Sequence, residues 1–248
     1  MCLRFSYTRG MKEVLLHLQK YFNIATLGDI TWAHAVNSQA KLHRFLHDPQ
    51  TMIIEADIRI SPRGDAVVTH PPEVDSDLSF EALLQAISSS KQCLKLDFKD
   101  PEILYPCLIK LSEARLVQPV IVNADVLQGH GGYRSKFNAP GFLALCKQLY
   151  PQGILSPGWT THPDIAYTQD NIDEMLALCQ DIAQVTFPIR ARLLPASWEH
   201  ISRLLQHDGS SLTIWNGEPV DEELHRWLQV HTDPTKTCYD LVYKKGNL

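Results

Sequence analysis

The chain has 248 residues, 44% of them hydrophobic, and a formal net charge of −5. That is enough for one large core, and close to the roughly 250 residues of a single α/β barrel. The acidic balance and the lack of any basic run beyond the small pair Lys244–Lys245 exclude a general nucleic-acid binder.

In chain order, the first pattern is Met11–Phe22, where Val14, Leu15, Leu18 and Phe22 recur at helical spacing. Glu13, His17 and Lys20 interrupt it, which excludes a signal-peptide core and a membrane span. The expectation is an amphipathic helix within residues 1–23, packed on a barrel domain of residues 24–248. Strand-type runs follow at Asp29–His34, Thr51–Ile58 and Cys93–Phe98, with a helical pattern at Ser79–Ser89 before the third. Helix then alternates with strand: Pro101–Arg115, Pro119–Asn123, Pro140–Tyr150, Gly153–Pro157, Asp170–Ala183 and Gln184–Pro188. The series closes with Ala196–His207, Ser211–Trp215, Asp221–Gln229 and Cys238–Tyr243. Trp198, Ile201, Leu204 and Leu205 form an apolar stripe that Gly209 could terminate. Eight strands with helices between them predict a single (β/α)8 TIM-type barrel, with an open doubly wound sheet as the alternative. No G-x-G-x-x-G follows a strand; Gly129, Gly131 and Gly132 lie in a loop after Asp125 that reads as flexible, with a phosphate cradle as the alternative. The six cysteines show no C-x-x-C spacing, so a zinc ribbon and a disulfide scaffold are disfavoured. Buried free thiols in a reducing compartment are expected, and without a visible targeting segment a cytoplasmic location.

The chemistry lies in the polar residues that end the apolar runs. Residues i and i+2 of a strand share a face, so Glu55 pairs with Asp57, and Lys95, Asp97 and Lys99 form a row. Charges inside buried strands are costly unless paired or bound to a ligand. Asn123 with Asp125, Arg190 with Arg192, and Trp215 with Asn216 repeat the habit, and in a parallel barrel all strand C-termini meet at one mouth. Three carboxylates, Glu55, Asp57 and Asp97, form an oxygen-only set suited to Mg²⁺ or Ca²⁺; the alternative is salt bridges with Lys95, Lys99, Arg190 and Arg192. His34 and His70 each follow an apolar run and are candidates for acid and base. Lys99, Arg190 and Arg192 are candidates to stabilise phosphate charge, although Arg192 has helix capping as an alternative. Lys95, Asn123 and Asp125 join the candidate substrate-binding set. Trp159 and Trp215 are candidates for an apolar pocket wall, with core packing the equal alternative. His17, His43, His47, His200, His207, His225 and His231 read as surface residues. No G-x-S-x-G elbow is present.

The stretches I-T-W-A-H-A-V-N-S (30–38), I-E-A-D-I (54–58), T-H-P-P (69–72), L-K-L-D-F-K (94–99), V-N-A-D-V-L (122–127) and S-P-G-W-T-T (156–161) resemble the menorin family. That family is similar to the phospholipase-C-like phosphodiesterases with a TIM-type barrel, and more distantly to glycerophosphodiester phosphodiesterases. The resemblance implies a divalent metal on Glu55, Asp57 and Asp97, with His34 and His70 as acid and base and Lys99 beside them. It implies a small phosphodiester or phospholipid-derived substrate, with no nucleic acid and no membrane span. It departs in two places: Ala35 stands where the phosphodiesterases carry arginine after the first histidine, and Pro71 where they carry aspartate after the second. Those changes keep a second expectation open, an inactive barrel that binds a ligand or a protein partner.

Overall fold

A computed structural model describes residues 15–243. Residues Met11–Val14 of the expected first helix, Cys2 and the basic pair Lys244–Lys245 lie outside the described residues. The strands are β1 (Trp32–Ala33), β2 (Ile53–Ile60), β3 (Ala66–Val68), β4 (Cys93–Phe98), β5 (Val120–Gln128), β6 (Ile154–Thr160), β7 (Val185–Arg190), β8 (Ser210–Val220) and β9 (Thr237–Tyr243). The helices are α1 (Leu15–Phe22), α2 (Gln39–Leu46), α3 (Phe80–Ser88), α4 (Leu104–Ala114), α5 (Ala139–Leu149), α6 (Gln169–Cys179), α7 (Leu194–Ile201) and α8 (Glu222–His231).

Strands β1, β2 and β4 to β9 run parallel in that order and form a nearly closed eight-stranded barrel, with a helix between each consecutive pair. Strand β3 is an addition absent from the strand reading. It folds back antiparallel on β2, Ile58 opposite Val68, through a turn in which Gly64 takes φ +90°. Helix α2 was also missed: it is only eight residues long, and its stripe of Leu42, Phe45 and Leu46 has one fully buried member. Strand β1 is shorter than the run Asp29–His34, since Leu27–Asp29 form a 3₁₀ turn. The helix reading Ala196–His207 divides: α7 ends at Ile201 and a 3₁₀ segment continues to Gln206. The helix read to Ala183 stops at Cys179.

Period-2 alternation sorts the strands into two layers. Outward residues such as Ile54, Ala56, Leu94, Leu96, Val122 and Phe187 pack under the helices in the main core. Inward residues at the bottom, Ile53, Cys93, Ile121, Ile154 and Cys238, close the barrel floor with Leu18 of α1 and with Leu27 and Ile30. The next inward positions upward are polar. Register places Glu55 beside Lys95, Asp57 beside Asp97, Asp97 beside Asn123, and Asn123 beside Ser156. An apolar floor under a polar upper layer therefore aims the charged groups at the mouth.

Candidate active site at the barrel mouth

Glu55 and Asp57 are almost wholly buried, and one carboxylate oxygen from each of Glu55, Asp57 and Asp97 lies within 4.8 Å of the other two. Each carboxylate is held by a neutral donor. The Ala35 N–H donates to Glu55 Oε2 at 2.7 Å, Asn37 Nδ2 to Asp57 Oδ2 at 2.6 Å, and Asn123 Nδ2 to Asp97 Oδ1 at 2.8 Å. Ser156 donates to Asn123 Oδ1 at 2.6 Å and fixes the amide's orientation. Lys99 Nζ bridges Asp97 Oδ2 at 2.6 Å and Asp57 Oδ1 at 3.0 Å. The salt-bridge alternative is thus realised at Lys99. Three acids against one bridging ammonium leave an excess of oxygen ligands, and that donor set fits a hard divalent cation.

Crowding shifts these groups. Burial, and then the charge of Asp57, push the Glu55 carboxyl up to about 7. Burial opposes ionisation of Asp97, but Lys99 and Lys95 outweigh it and hold this carboxyl below the usual range. Burial likewise works against the Lys99 cation, yet Asp97, Asp57 and Asp125 raise it well above an ordinary lysine. Asp125 is pushed up to about 7 by burial and by Asp97.

His34 stands at the end of β1 with Nδ1 2.8 Å from Asp240 Oδ2 and 3.7 Å from Glu55 Oε2. Burial would lower its pKa, but the hydrogen bond and charge of Asp240, with Glu55 beside it, take it up to about 9. Asp240 is a site residue that sequence reasoning missed. Its only local signal is the i, i+2 step from Cys238 in β9. His70 follows β3 and is exposed, its Nδ1 2.6 Å from the Pro71 carbonyl. A carbonyl only accepts, so Nδ1 carries a proton and Nε2 holds the lone pair of the neutral ring.

The other candidates divide by layer. Lys95 is 4% exposed, with its ammonium 5.9 Å from the Trp32 ring centre. Arg190 and Trp215 are register neighbours on β7 and β8, the guanidinium 5.7 Å from the indole centre. Asp125 leans over Gly158, where an added Cβ would stand 2.8 Å from its Oδ1. Trp159 belongs instead to the helix-facing core, edge-on to Tyr167 at 5.4 Å. Arg192 sits on the rim, 3.5 Å from both Asp164 and Glu218, and caps no helix by hydrogen bond. The glycine loop is tied down rather than loose. The Gly129 N–H bonds the Thr160 carbonyl at 3.0 Å, Thr160 Oγ1 donates to the Tyr133 carbonyl, and a Cβ on Gly132 would overlap the Thr160 backbone. Among the histidines read as surface, His17, His43, His47 and His231 are exposed, while His200, His207 and His225 are half-buried. The five described cysteines are free and buried, which removes them as nucleophiles.

This nearly closed parallel barrel, with a helix between consecutive strands, is the (β/α)8 TIM-barrel fold, and its carboxylate cluster sits at the C-terminal mouth. A protein from Galdieria sulphuraria assigned as a glycerophosphodiester phosphodiesterase has the same fold, with a TM-score of 0.60, 15% identity, and coverage of 86% of this chain and 94% of that one. The chain matches the Menorin N-terminal domain over residues 26–245, and it belongs to the menorin family. Human protein FAM151B is 33% identical over 229 residues, covering 86% of this chain and 83% of the relative.

Proposed function

We propose that this chain is a metal-dependent phosphodiesterase acting on a small phosphodiester or phospholipid-derived substrate. The observation that carries the reading is the convergence of Glu55, Asp57 and Asp97 beside His34 at one end of the barrel. These carboxylates would hold Mg²⁺ or Ca²⁺, which supplies Lewis-acid polarisation of phosphoryl oxygens. The side chains do the rest. His34, held as imidazolium by Asp240, keeps Nδ1 on that carboxylate and offers the Nε2 proton to the leaving oxygen. His70 Nε2 takes the proton of the attacking hydroxyl or water. Lys99 remains a cation and offsets charge that develops on phosphate. Lys95 and Arg190 supply further positive charge in place of the arginine that Ala35 replaces, while Trp215, Asn123 and Asp125 line the pocket. Wild type should bind Mg²⁺ or Ca²⁺ in calorimetry, and the Glu55→Gln, Asp57→Asn double variant should not. Equal binding by both would remove the site.

A second reading is a ligand-binding barrel without turnover. It is favoured by His70, which is exposed and turned to its own neighbouring carbonyl, and by Ala35 at the arginine position. Phosphodiester hydrolysis by wild type that is lost in His34→Ala would decide against it.

A further inference from the structure

We propose that Asn37 is a positioning residue that fixes which oxygen of Asp57 faces the cation. The proposal rests on the divalent-cation reading above. Residues Ala35–Asn37, between β1 and α2, form a clamp laid along β2. Ala35 adopts φ +51°, which turns its N–H onto Glu55 Oε2, while the Val36 N–H donates to the Glu55 carbonyl at 2.9 Å. Asn37 then grips Asp57 at two points. Its Nδ2 donates to Asp57 Oδ2 at 2.6 Å, and its Oδ1 accepts from the Asp57 backbone N–H at 3.0 Å. A carboxamide offers a donor and an acceptor side by side, whereas an ionised aspartate only accepts and leucine does neither. The carbonyl of Asn37 is itself held, accepting from Ser76 Oγ at 3.2 Å.

The clamp has a geometric consequence. One oxygen of every acid is tied by a neutral donor: Glu55 Oε2, Asp57 Oδ2 and Asp97 Oδ1. Of the remaining oxygens, Asp57 Oδ1 and Asp97 Oδ2 converge on Lys99 Nζ. The second oxygens of Asp57 and Asp97 thus share one side, the side of the Lys99 ammonium. Release of Asp57 Oδ2 lets the carboxylate rotate and turn that side away. Partners of metal ligands typically change affinity about 10- to 100-fold when removed.

The test is titration of wild type and Asn37→Leu with Mg²⁺ and with Ca²⁺ in calorimetry, with circular dichroism and thermal unfolding on the same samples. Asn37→Leu should stay folded and bind at least about tenfold more weakly. A smaller loss in folded Asn37→Leu overturns the proposal and leaves the metal reading intact. Failure of wild type to bind either ion overturns both. If Asn37→Leu does not fold, the wild-type Asn37 side-chain amide resonances decide: they should shift saturably with the ion, and constant resonances overturn the assignment.

Discussion

At the scale of single residues, the site is governed by how buried charges are satisfied. His34 owes its raised pKa to Asp240 and Glu55 acting against burial. A group with a raised folded pKa stabilises the fold fully below its unfolded value, about 6.5 for histidine, and loses that contribution as pH rises through about 9. Between those limits the stability of wild type should therefore fall more steeply than that of Asp240→Asn, as read by urea unfolding across the window. The His34 resonances of the variant should titrate nearer the ordinary value, and the alkaline limb of its activity, where the general acid loses its proton, should move to lower pH. Gly158 makes a separate case. A Cβ there would stand 2.8 Å from Asp125 Oδ1 and 2.9 Å from Pro188 Cγ. Gly158→Ala should cost about 1–3 kcal/mol by overpacking in urea titrations and displace the Asp125 carboxylate.

At the scale of elements, each helix start sets a loop at the mouth. Thr168 caps α6, accepting from the Asn171 N–H, and Asn171 Oδ1 also accepts from the His130 N–H of the glycine loop at 3.1 Å. Thr168→Ala should lose about 1 kcal/mol of stability in equilibrium unfolding, the ordinary value of such a cap. The glycine loop's small residues reflect close packing on Thr160 rather than freedom, which no local sequence feature could reveal. The element readings held where the periodicity was long, as in α4 and α5. They failed at α2 and β3, which are short: an eight-residue helix with one buried side chain, and a three-residue strand.

At the scale of the whole molecule, the barrel is strong on one side and weak on the other. Strands β5 and β6 pair over most of their lengths, while β1 has two residues and shares no ladder with β9. Amide hydrogen exchange should find the backbone of β1 opening at lower free energy than the centres of β5 and β6. Uniform protection around the barrel would contradict this. The apolar floor and polar upper layer also explain why acid residues tolerate burial. They are cross-linked by Lys99, Asn37, Asn123 and Asp240's histidine, and loss of one partner of such a buried pair typically costs about 3–5 kcal/mol. Among the described residues no helix is long and apolar enough to cross a membrane.

The sequence by itself determined the barrel class, the order of its eight parallel strands and the i, i+2 carboxylates. These follow from periodicities of 2 and 3.6, which are properties of neighbouring residues. Tertiary structure alone decided the partners. His34 and Asp240 are 206 positions apart and meet because β1 and β9 flank the same seam. Asn37 reaches Asp57 only because the β1–α2 loop lies along β2. Trp159 and Gly158 occupy opposite faces of one strand, and only the closed sheet shows which face is the pocket. Local pattern placed polar groups at run ends, but the closure of the barrel set which of them touch.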